Sequence, residues 1–358
     1  MARLAHTLEP GPGGFLEGGV EPEVAMARLL DGADRRWPGL LDPDDRCRLG
    51  RPELVRAAAL LRDADLLADD LAGLDAIFEF LVSRAARGEK GQFFTPRHVV
   101  KEVVRMMAPR AGERVADPAC GSGAFLLHAL LHAPGCEVYG FDQDPRAVKV
   151  ARTLLAAAGR RGDAIRRLDS LQRGDGSGVD TVESVMRARG LPASFDVILA
   201  NPPFAGDVGD TFRHQYALAA LAPAERDVLF LERCVGLLAP GGRLAIVLPQ
   251  NKVGGQRWEA VRRWLLEETR VVAVLGLGRD TFLPHTSQKA SVVVAVRRPR
   301  VISPPPPSER VVFFVSDRCG KDGQGRLQFD PLQPGRVDHD LGEAVPAVQA
   351  GLRAAAGA

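Results

Sequence analysis

Four consecutive residues, Asn201, Pro202, Pro203 and Phe204, follow an apolar, β-branched run that predicts a buried strand over residues 195–200. The prolines lack an N–H and cannot continue a sheet, so they should fix the backbone at the strand end, where open α/β sheets bind ligands. The Asn201 carboxamide and the Pro202 carbonyl both offer acceptor oxygens, and Phe204 offers an aromatic face. Two acceptors beside an aromatic ring suit a planar ring that carries an amino group. The alternative interpretation is a strand that ends at two prolines, with Phe204 in the core.

A glycine-containing loop supplies further candidate binding residues. A predicted strand ends at Asp117, and the loop after it opens a helix that should run to about residue 132. Gly121 and Gly123 let the backbone turn tightly and approach a ligand closely. The spacing matches neither the GxGxxG fingerprint nor the GxxxxGK[ST] phosphate loop, and Cys120 has no base beside it in the sequence that would indicate a nucleophile. The candidate ligand-binding residues of this loop are Asp117, Ala119, Gly121, Ser122 and Gly123.

Acidic residues end the next two predicted strands. Asp142 follows an apolar run that begins at residue 137, roughly 20 residues beyond the glycine loop, the distance at which a carboxylate binds ribose hydroxyls. A third strand near residues 165–168 leads into Asp169 and Ser170. Asp142, Asp169 and Ser170 are candidate binding residues.

An unusual aromatic segment precedes the glycine loop. It comprises Gln92, Phe93, Phe94, Thr95 and Pro96. Thr95 is a favourable N-cap type and Pro96 suits the first position of a helix predicted over residues 97–107. The alternative interpretation places both phenylalanines in the core.

The elements that must position these residues alternate between strand and helix, which predicts an α/β sheet that ends in a pair of strands without an intervening helix, at residues 271–275 and 290–296. Apolar residues at helical spacing indicate a helical domain before the sheet. The predicted domain boundaries are a loose N-terminus over residues 1–20, a helical domain over 21–90, a catalytic domain over 91–300, and a Pro-rich linker and C-terminal tail over 301–358.

Composition narrows the class of protein without identifying it. The 358 residues are 46% hydrophobic and 26% charged, and the net charge of +2 means that any nucleic-acid surface must be a local patch. The 5 cysteines are scattered and form no CxxC pair, which argues against a disulfide framework and structural zinc and fits a reducing cytoplasm. We expect no signal peptide and no membrane span.

These motifs, in this order, resemble those of the N6-adenine DNA methyltransferases, most closely the modification subunits of type I restriction–modification systems. Residues 91–96 resemble the loop against the methionine part of S-adenosylmethionine, and residues 117–123 resemble the cofactor loop. Asp142 resembles the ribose-binding acid and Asp169 the residue that binds the cofactor adenine. Residues 201–204 resemble the catalytic tetrapeptide. Residues 282–286 resemble a loop that helps hold a flipped base, and residues 320–326 resemble a glycine turn near the C-terminus of these proteins.

The resemblance implies a Rossmann-like class I methyltransferase sheet, S-adenosylmethionine as cofactor, no metal, and a flipped adenine in DNA as the target. Asn201 is also expected to touch the cofactor, and Phe204 to stack on the base. The N-terminal helical part is short for the family and no target-recognition domain is evident, so the resemblance implies a separate specificity subunit, with a restriction subunit as a further partner. The alternatives are a protein-glutamine or RNA-guanine methyltransferase, against which the segment before the glycine loop argues, and a non-catalytic cofactor- or DNA-binding subunit.

Overall fold

A computed structural model of the chain describes residues 21–42, 45–62, 94–174, 178–204, 206, 208 and 213–356. The helices are α1 (Pro22–Arg36), α2 (Arg51–Arg62), α3 (Arg97–Met107), α4 (Ala124–His132), α5 (Pro145–Ala157), α6 (Val182–Arg187), α7 (Leu218–Leu221), α8 (Arg226–Leu237), α9 (Gln250–Gly254), α10 (Glu259–Glu268) and α11 (Val345–Ala356). The strands are β1 (Arg114–Asp117), β2 (Glu137–Asp142), β3 (Ile165–Arg167), β4 (Phe195–Ala200), β5 (Leu238–Pro249), β6 (Thr269–Gly276), β7 (Ala290–Arg297) and β8 (Val312–Val315). Short 3₁₀ turns lie at Gly162–Ala164, Arg213–Gln215, Gln256–Trp258 and Leu341–Ala344.

The strands form one 8-stranded sheet in the order β3-β2-β1-β4-β5-β7-β6-β8. Pairing is parallel from β3 to β5, and β7 runs antiparallel between β5 and β6. The chain winds outward from β1 to β3, then returns to place β4 on the other side of β1. The strand order therefore reverses between β1 and β4, and the crevice at the carboxyl ends of two such strands is where open α/β sheets bind ligands.

The sheet is covered on both faces, which explains why its strands read as continuous apolar runs. In β4, Val197 and Leu199 belong to one buried cluster, whereas Ile198 and Ala200 belong to the cluster on the opposite face. The first cluster includes apolar side chains of α3, α4 and α11, and the second includes those of α8 and α10. This packing on both sides holds the end of β4, and the residues after it, in a fixed position.

The C-terminal segment differs from the linker and tail that the sequence predicts over residues 301–358. Strand β8 pairs with β6 in the main sheet, and α11 buries Val345, Val348 and Leu352 against the core. A Cβ at Gly351 would lie 2.7 Å from Val272 Cγ1, so a glycine here lets α11 lie close to β6. Strand β8 is thus part of the sheet as its edge, and α11 is part of the core because its buried face covers one side of the sheet. The remaining domain boundaries stay predictions.

The N-terminal helices contact the outside of the sheet domain. Ala33 and Leu40 pack against Ala156 of α5, and the Arg152 Nη1 atom lies 2.8 Å from Asp42 Oδ1. Residues 1–20, and residues 63–90 of the predicted helical domain, lie outside the described part of the chain. Within the described ranges, no helix is both long and apolar enough to cross a bilayer.

Candidate active site

The glycine loop begins at a buried carboxylate. Asp117 ends β1 with 2% of its surface exposed, and its Oδ1 atom accepts a hydrogen bond from the Ala119 N–H at 3.0 Å. Burial raises the pKa of Asp117 well above its usual range, and the neighbouring carboxylate Asp142 adds to this shift. Gly121 and Gly123 have φ angles of +51° and +82°, a region that favours glycine. The loop therefore requires glycines at both positions where the sequence places them.

Asp142 joins the second strand to this loop. Its Oδ2 atom accepts a hydrogen bond from the Gly121 N–H at 2.8 Å, and its Oδ1 atom accepts one from the Asp144 N–H at 2.8 Å. Burial raises the pKa of Asp142, although the hydrogen bonds from Asp144 and Gly121 oppose the shift. The structure therefore brings the predicted ribose-binding acid into direct contact with the predicted cofactor loop. The remaining lone pairs of the carboxylate can accept hydrogen bonds from a ligand.

The turn after β3 contains two further candidate binding residues, Asp169 and Ser170. Asp169 Oδ1 accepts a hydrogen bond from the Leu171 N–H at 3.0 Å. The Ser170 side chain is buried, with 2% of the residue exposed, and its hydroxyl has no hydrogen-bond partner among the described residues. A buried hydroxyl without a partner is costly, and a polar group of a bound ligand would satisfy it.

The tetrapeptide lies at the carboxyl end of β4. Asn201 and Pro203 are half-buried, and Pro202 is buried. Phe204 is 7% exposed and belongs to an apolar cluster of the core, where its ring meets that of Phe282 edge-on. The structure thus gives Phe204 a packing role in the protein alone, and its stacking on a base stays a prediction.

Two later loops, which the sequence treats separately, contact each other. The Lys321 Nζ atom donates a hydrogen bond to the Leu283 carbonyl oxygen at 2.7 Å. Gly325 has a φ angle of +80°, and an added Cβ would lie 2.6 Å from the Pro284 nitrogen. The glycine turn therefore packs against the loop that carries Phe282. The sequence signal for this contact is only that both loops resemble family motifs.

The aromatic segment is only partly described. Gln92 and Phe93 lie outside the described residues, Phe94 is half-buried, and Thr95 and Pro96 are buried. Helix α3 has the predicted bounds, but the predicted cap is wrong: Pro96 is the N-cap residue, and no side chain caps the helix with a hydrogen bond. Proline at this position sets an extended backbone before the helix, so the threonine is one residue too early to cap it. The role of the segment in cofactor binding stays a prediction.

Cys120 lies in the glycine loop as a buried thiol. Burial, together with the carboxylates of Asp142 and Asp117, raises its pKa well above the usual range. A thiol held in its protonated form is a poor nucleophile. This environment supports the interpretation of Cys120 as a small loop residue.

The sequence profile of the N-6 DNA methylase family matches residues 68–326, more than half of the chain. The chain is 28% identical over 233 residues to a type I restriction enzyme EcoEI methylase subunit of Escherichia coli, covering 61% of this chain and 45% of that protein. It is 26% identical over 201 residues to a type II restriction enzyme and methyltransferase, RM.BcgI, of Heyndrickxia coagulans, covering 54% and 29%. The chain spans about half the length, or less, of these curated relatives.

Solved structures share the fold. A methyltransferase subunit of a type I restriction–modification system from Streptococcus thermophilus superimposes with a TM-score of 0.62 at 21% identity, covering 84% of this chain and 62% of that chain. A protein from Listeria monocytogenes, described as a candidate class I S-adenosylmethionine-dependent methyltransferase, gives 0.58 at 15% identity, covering 98% of each chain. These similarities confirm the predicted α/β, Rossmann-like class I methyltransferase fold.

Proposed function

The chain belongs to the N-6 DNA methylase family, and we propose from that premise that it transfers a methyl group from S-adenosylmethionine to the N6 amino group of adenine in DNA. The observation that best supports this proposal is the position of two motifs at the ends of neighbouring strands. The glycine loop follows β1, and residues 201–204 follow β4, which pairs with β1. Ligands bound at the two loops would lie side by side, since paired strands are ~4.8 Å apart.

The residues around the glycine loop fit an adenosyl cofactor. Asp142 would accept hydrogen bonds from the ribose hydroxyls, while Asp169 and the buried hydroxyl of Ser170 would bind the adenine. An added Cβ at Gly121 would meet nothing within 4 Å, so the loop faces open space in which a ligand can approach its backbone. When bound, S-adenosylmethionine supplies a methyl group on a sulfonium, which is already a good leaving group, so that this transfer needs no metal.

Asn201 and Pro202 would prepare the acceptor. The exocyclic amine of adenine is a poor nucleophile because its lone pair is delocalised into the ring. Acceptor oxygens on Asn201 and Pro202 would bind both amino hydrogens and favour a more tetrahedral nitrogen with its lone pair directed at the methyl group. Asn201 is neutral, so it orients and polarises the amine instead of removing a proton as a strong base. Most of the rate enhancement would come from holding the reacting atoms about 3 Å apart.

The target adenine must leave the duplex to reach this position. Phe204 would stack on the flipped ring with the exposed part of its aromatic face. Such stacking contributes about 1–3 kcal/mol. Its edge-on contact with Phe282 fixes the ring plane before the base arrives. Pre-orientation of this kind lowers the entropy cost of base binding.

We also propose that the enzyme acts on DNA together with a specificity subunit, with a restriction subunit as a further partner. The curated relatives include methylase subunits of type I restriction enzymes, and the chain matches less than half of their length. Its cysteines are free thiols, which suits a reducing cytoplasm as the site of action.

The test is to incubate the purified chain with S-adenosylmethionine labelled on its methyl group and to offer unmethylated DNA, RNA and protein separately. We expect label in DNA as N6-methyladenine. Label in RNA guanine or protein glutamine would identify one of the alternative enzymes. Cofactor binding without transfer to any of the three, even after addition of the specificity subunit, would indicate a non-catalytic subunit.

A further inference from the structure

The turn after β3 is held from behind by two buried side chains. Arg233 Nε donates a hydrogen bond to the Ser170 carbonyl oxygen at 2.6 Å, and the Tyr216 hydroxyl donates one to the Leu171 carbonyl oxygen at 2.7 Å. Arg233 and Tyr216 are each 3% exposed. The carbonyls of Ser170 and Leu171 therefore bind buried side chains of the protein.

Glu183 fixes the position of Arg233 behind this turn. Its two carboxylate oxygens accept hydrogen bonds from Arg233 Nη1 and Nη2 at 2.6 Å and 2.8 Å, a bidentate arrangement that fixes the plane of the guanidinium. Burial tends to raise the pKa of Glu183, but the hydrogen bonds and charge of Arg233 outweigh it and hold the pKa below its usual value. Glu183 lies on α6, in the segment between β3 and β4. This segment thus supplies the counter-charge for a buried arginine.

The tyrosine is fixed by its own neighbours. The Arg173 guanidinium lies over the Tyr216 ring, 3.9 Å from the centroid. Arg173 Nη1 also donates to the Gln215 carbonyl at 2.9 Å, and Arg173 Nη2 lies 3.2 Å from Glu232 Oε1. Tyr216 therefore cannot turn its hydroxyl away from the turn without losing several contacts. We call Arg233, Glu183 and Tyr216 the backing cluster.

We propose that the backing cluster positions residues 169–171 so that they select a cofactor with a 6-aminopurine ring. This inference rests on the proposed function. The Asp169 carboxylate and the Ser170 hydroxyl can accept hydrogen bonds from an exocyclic amine. The Ser170 hydroxyl could also donate to an oxygen at that position, but at the Asp169 carboxylate such a ring would place acceptor against acceptor. A site built around a hydrogen bond strongly rejects an analogue that lacks the donor. Such discrimination depends on the orientation of the turn, which the backing cluster sets.

A second buried arginine–glutamate pair, Arg298 and Glu309, serves as a control for a purely structural role of Arg233 and Glu183. Arg298 forms the same kind of bidentate pair with Glu309, at 2.7 Å and 2.6 Å, and its Nε atom also donates to a carbonyl, that of Leu266, at 3.2 Å. Both pairs contain a buried arginine, with 3% and 7% of the side chain exposed. Leu266 lies in α10 and is not part of the glycine loop, the turn after β3 or the tetrapeptide. Removal of this pair should affect stability alone.

The experiment measures binding of S-adenosylhomocysteine and of its analogue with a 6-oxopurine, S-inosylhomocysteine, by calorimetry. The variants are Arg233→Met/Glu183→Met, Arg298→Met/Glu309→Met and Tyr216→Phe. The paired substitutions leave no unpaired buried charge, so both double variants should fold. We expect the preference for the adenine ligand to fall by at least about tenfold in the first and by less in Tyr216→Phe, since a hydrogen bond to a charged group contributes more than a neutral one. The preference of Arg298→Met/Glu309→Met should equal that of the wild type.

An unchanged preference in folded Arg233→Met/Glu183→Met would overturn the inference. If that variant does not fold, Tyr216→Phe decides in the same way, because it removes a single hydroxyl. An equal fall in the adenine preference of Arg298→Met/Glu309→Met would show that the backing cluster only stabilises the fold. That result would also overturn the inference. A wild-type chain that binds neither ligand would instead refute the proposed function, and the inference with it.

Discussion

The ring of Phe204 meets the ring of Phe282 edge-on, with centroids 5.8 Å apart and planes inclined by 72°. Phe204 belongs to the tetrapeptide after β4, and Phe282 belongs to the loop before β7. The same loop is tied to the C-terminal glycine turn by the hydrogen bond from Lys321 to Leu283. The contact therefore links the tetrapeptide to two loops that are distant in sequence, and its aromatic pair includes the residue proposed to stack on the target base.

Phe204 should serve both packing and base binding. Because the side chain is buried, Phe204→Ala should cost about 3–5 kcal/mol of the free energy of unfolding, which revises the expectation of a freely accessible stacking residue. Phe204→Leu keeps most of the apolar volume but loses the aromatic face, so it should fold and yet bind a flipped adenine about tenfold more weakly. Thermal unfolding and the KM for DNA measure the two effects. Phe195→Leu, at a buried position at the start of β4, is the control for packing. Full methylation by Phe204→Leu would show that Phe204 is only a core residue.

Lys321 should act on methylation without acting on cofactor binding. Lys321→Met removes the hydrogen bond to the Leu283 carbonyl and frees the loop that carries Phe282, so we expect kcat for DNA methylation to fall about tenfold through lost positioning. The affinity for S-adenosylmethionine should not change, because the hydrogen bond that is lost joins the glycine turn to the loop of Phe282 and involves none of residues 117–123. Lys321→Arg can still donate to the carbonyl and should recover part of the rate. A normal kcat in Lys321→Met would refute this role.

Asp142 should make cofactor binding dependent on pH. The carboxylate accepts ribose hydrogen bonds most strongly when it is ionised, and burial raises its pKa above the usual value. As the pH falls through this raised pKa, the carboxylate becomes protonated, so affinity should decrease at a higher pH than an ordinary aspartate, with a pKa of about 3.9, would allow. Asp142→Asn should bind weakly at every pH and show a flat profile over the same range. Calorimetry at several pH values checks this, and an identical pH profile in wild type and Asp142→Asn would contradict the assignment.

The isolated chain should bind S-adenosylmethionine but methylate DNA slowly and without clear sequence preference. Its net charge of +2 gives little general attraction to phosphates, and a specificity subunit would supply recognition. Single-molecule sequencing of a long DNA treated with the chain alone would map the methylated adenines. Efficient methylation at one defined sequence would show that recognition is built into this chain.

The sequence predicts best what depends on neighbouring residues. The bounds of β1, β2 and β4, and the glycines after β1, follow from apolar runs and from backbone conformations that need glycine. Helix α11 was harder to predict because it is rich in alanine, with only three apolar side chains marking its buried face. Helix α8 mixes charged and apolar residues, so the sequence shows neither that Arg233 is buried nor what it contacts.

The features that the sequence does not predict depend on contacts between distant segments of the chain. The hydrogen bond from Lys321 to Leu283 joins residues 38 apart, and that from Arg233 to Ser170 joins residues 63 apart. Neither pair has a local pattern, because each forms only after the sheet has placed its loops side by side. The burial of Phe204 likewise depends on Phe282, which lies on a different loop.

The most direct test of adenine methylation compares wild type with Asn201→Ala on the same unmethylated DNA, with nucleosides quantified by mass spectrometry after digestion. Removal of the Asn201 acceptor should lower the rate of N6-methyladenine formation by at least about a hundredfold. In calorimetry, Asn201→Ala should still bind S-adenosylmethionine with at most a modest loss of affinity. We predict N6-methyladenine from the wild type, in the presence of its specificity subunit where one is required, and none above background from the variant. Equal N6-methyladenine from both proteins would contradict the proposed role of the tetrapeptide.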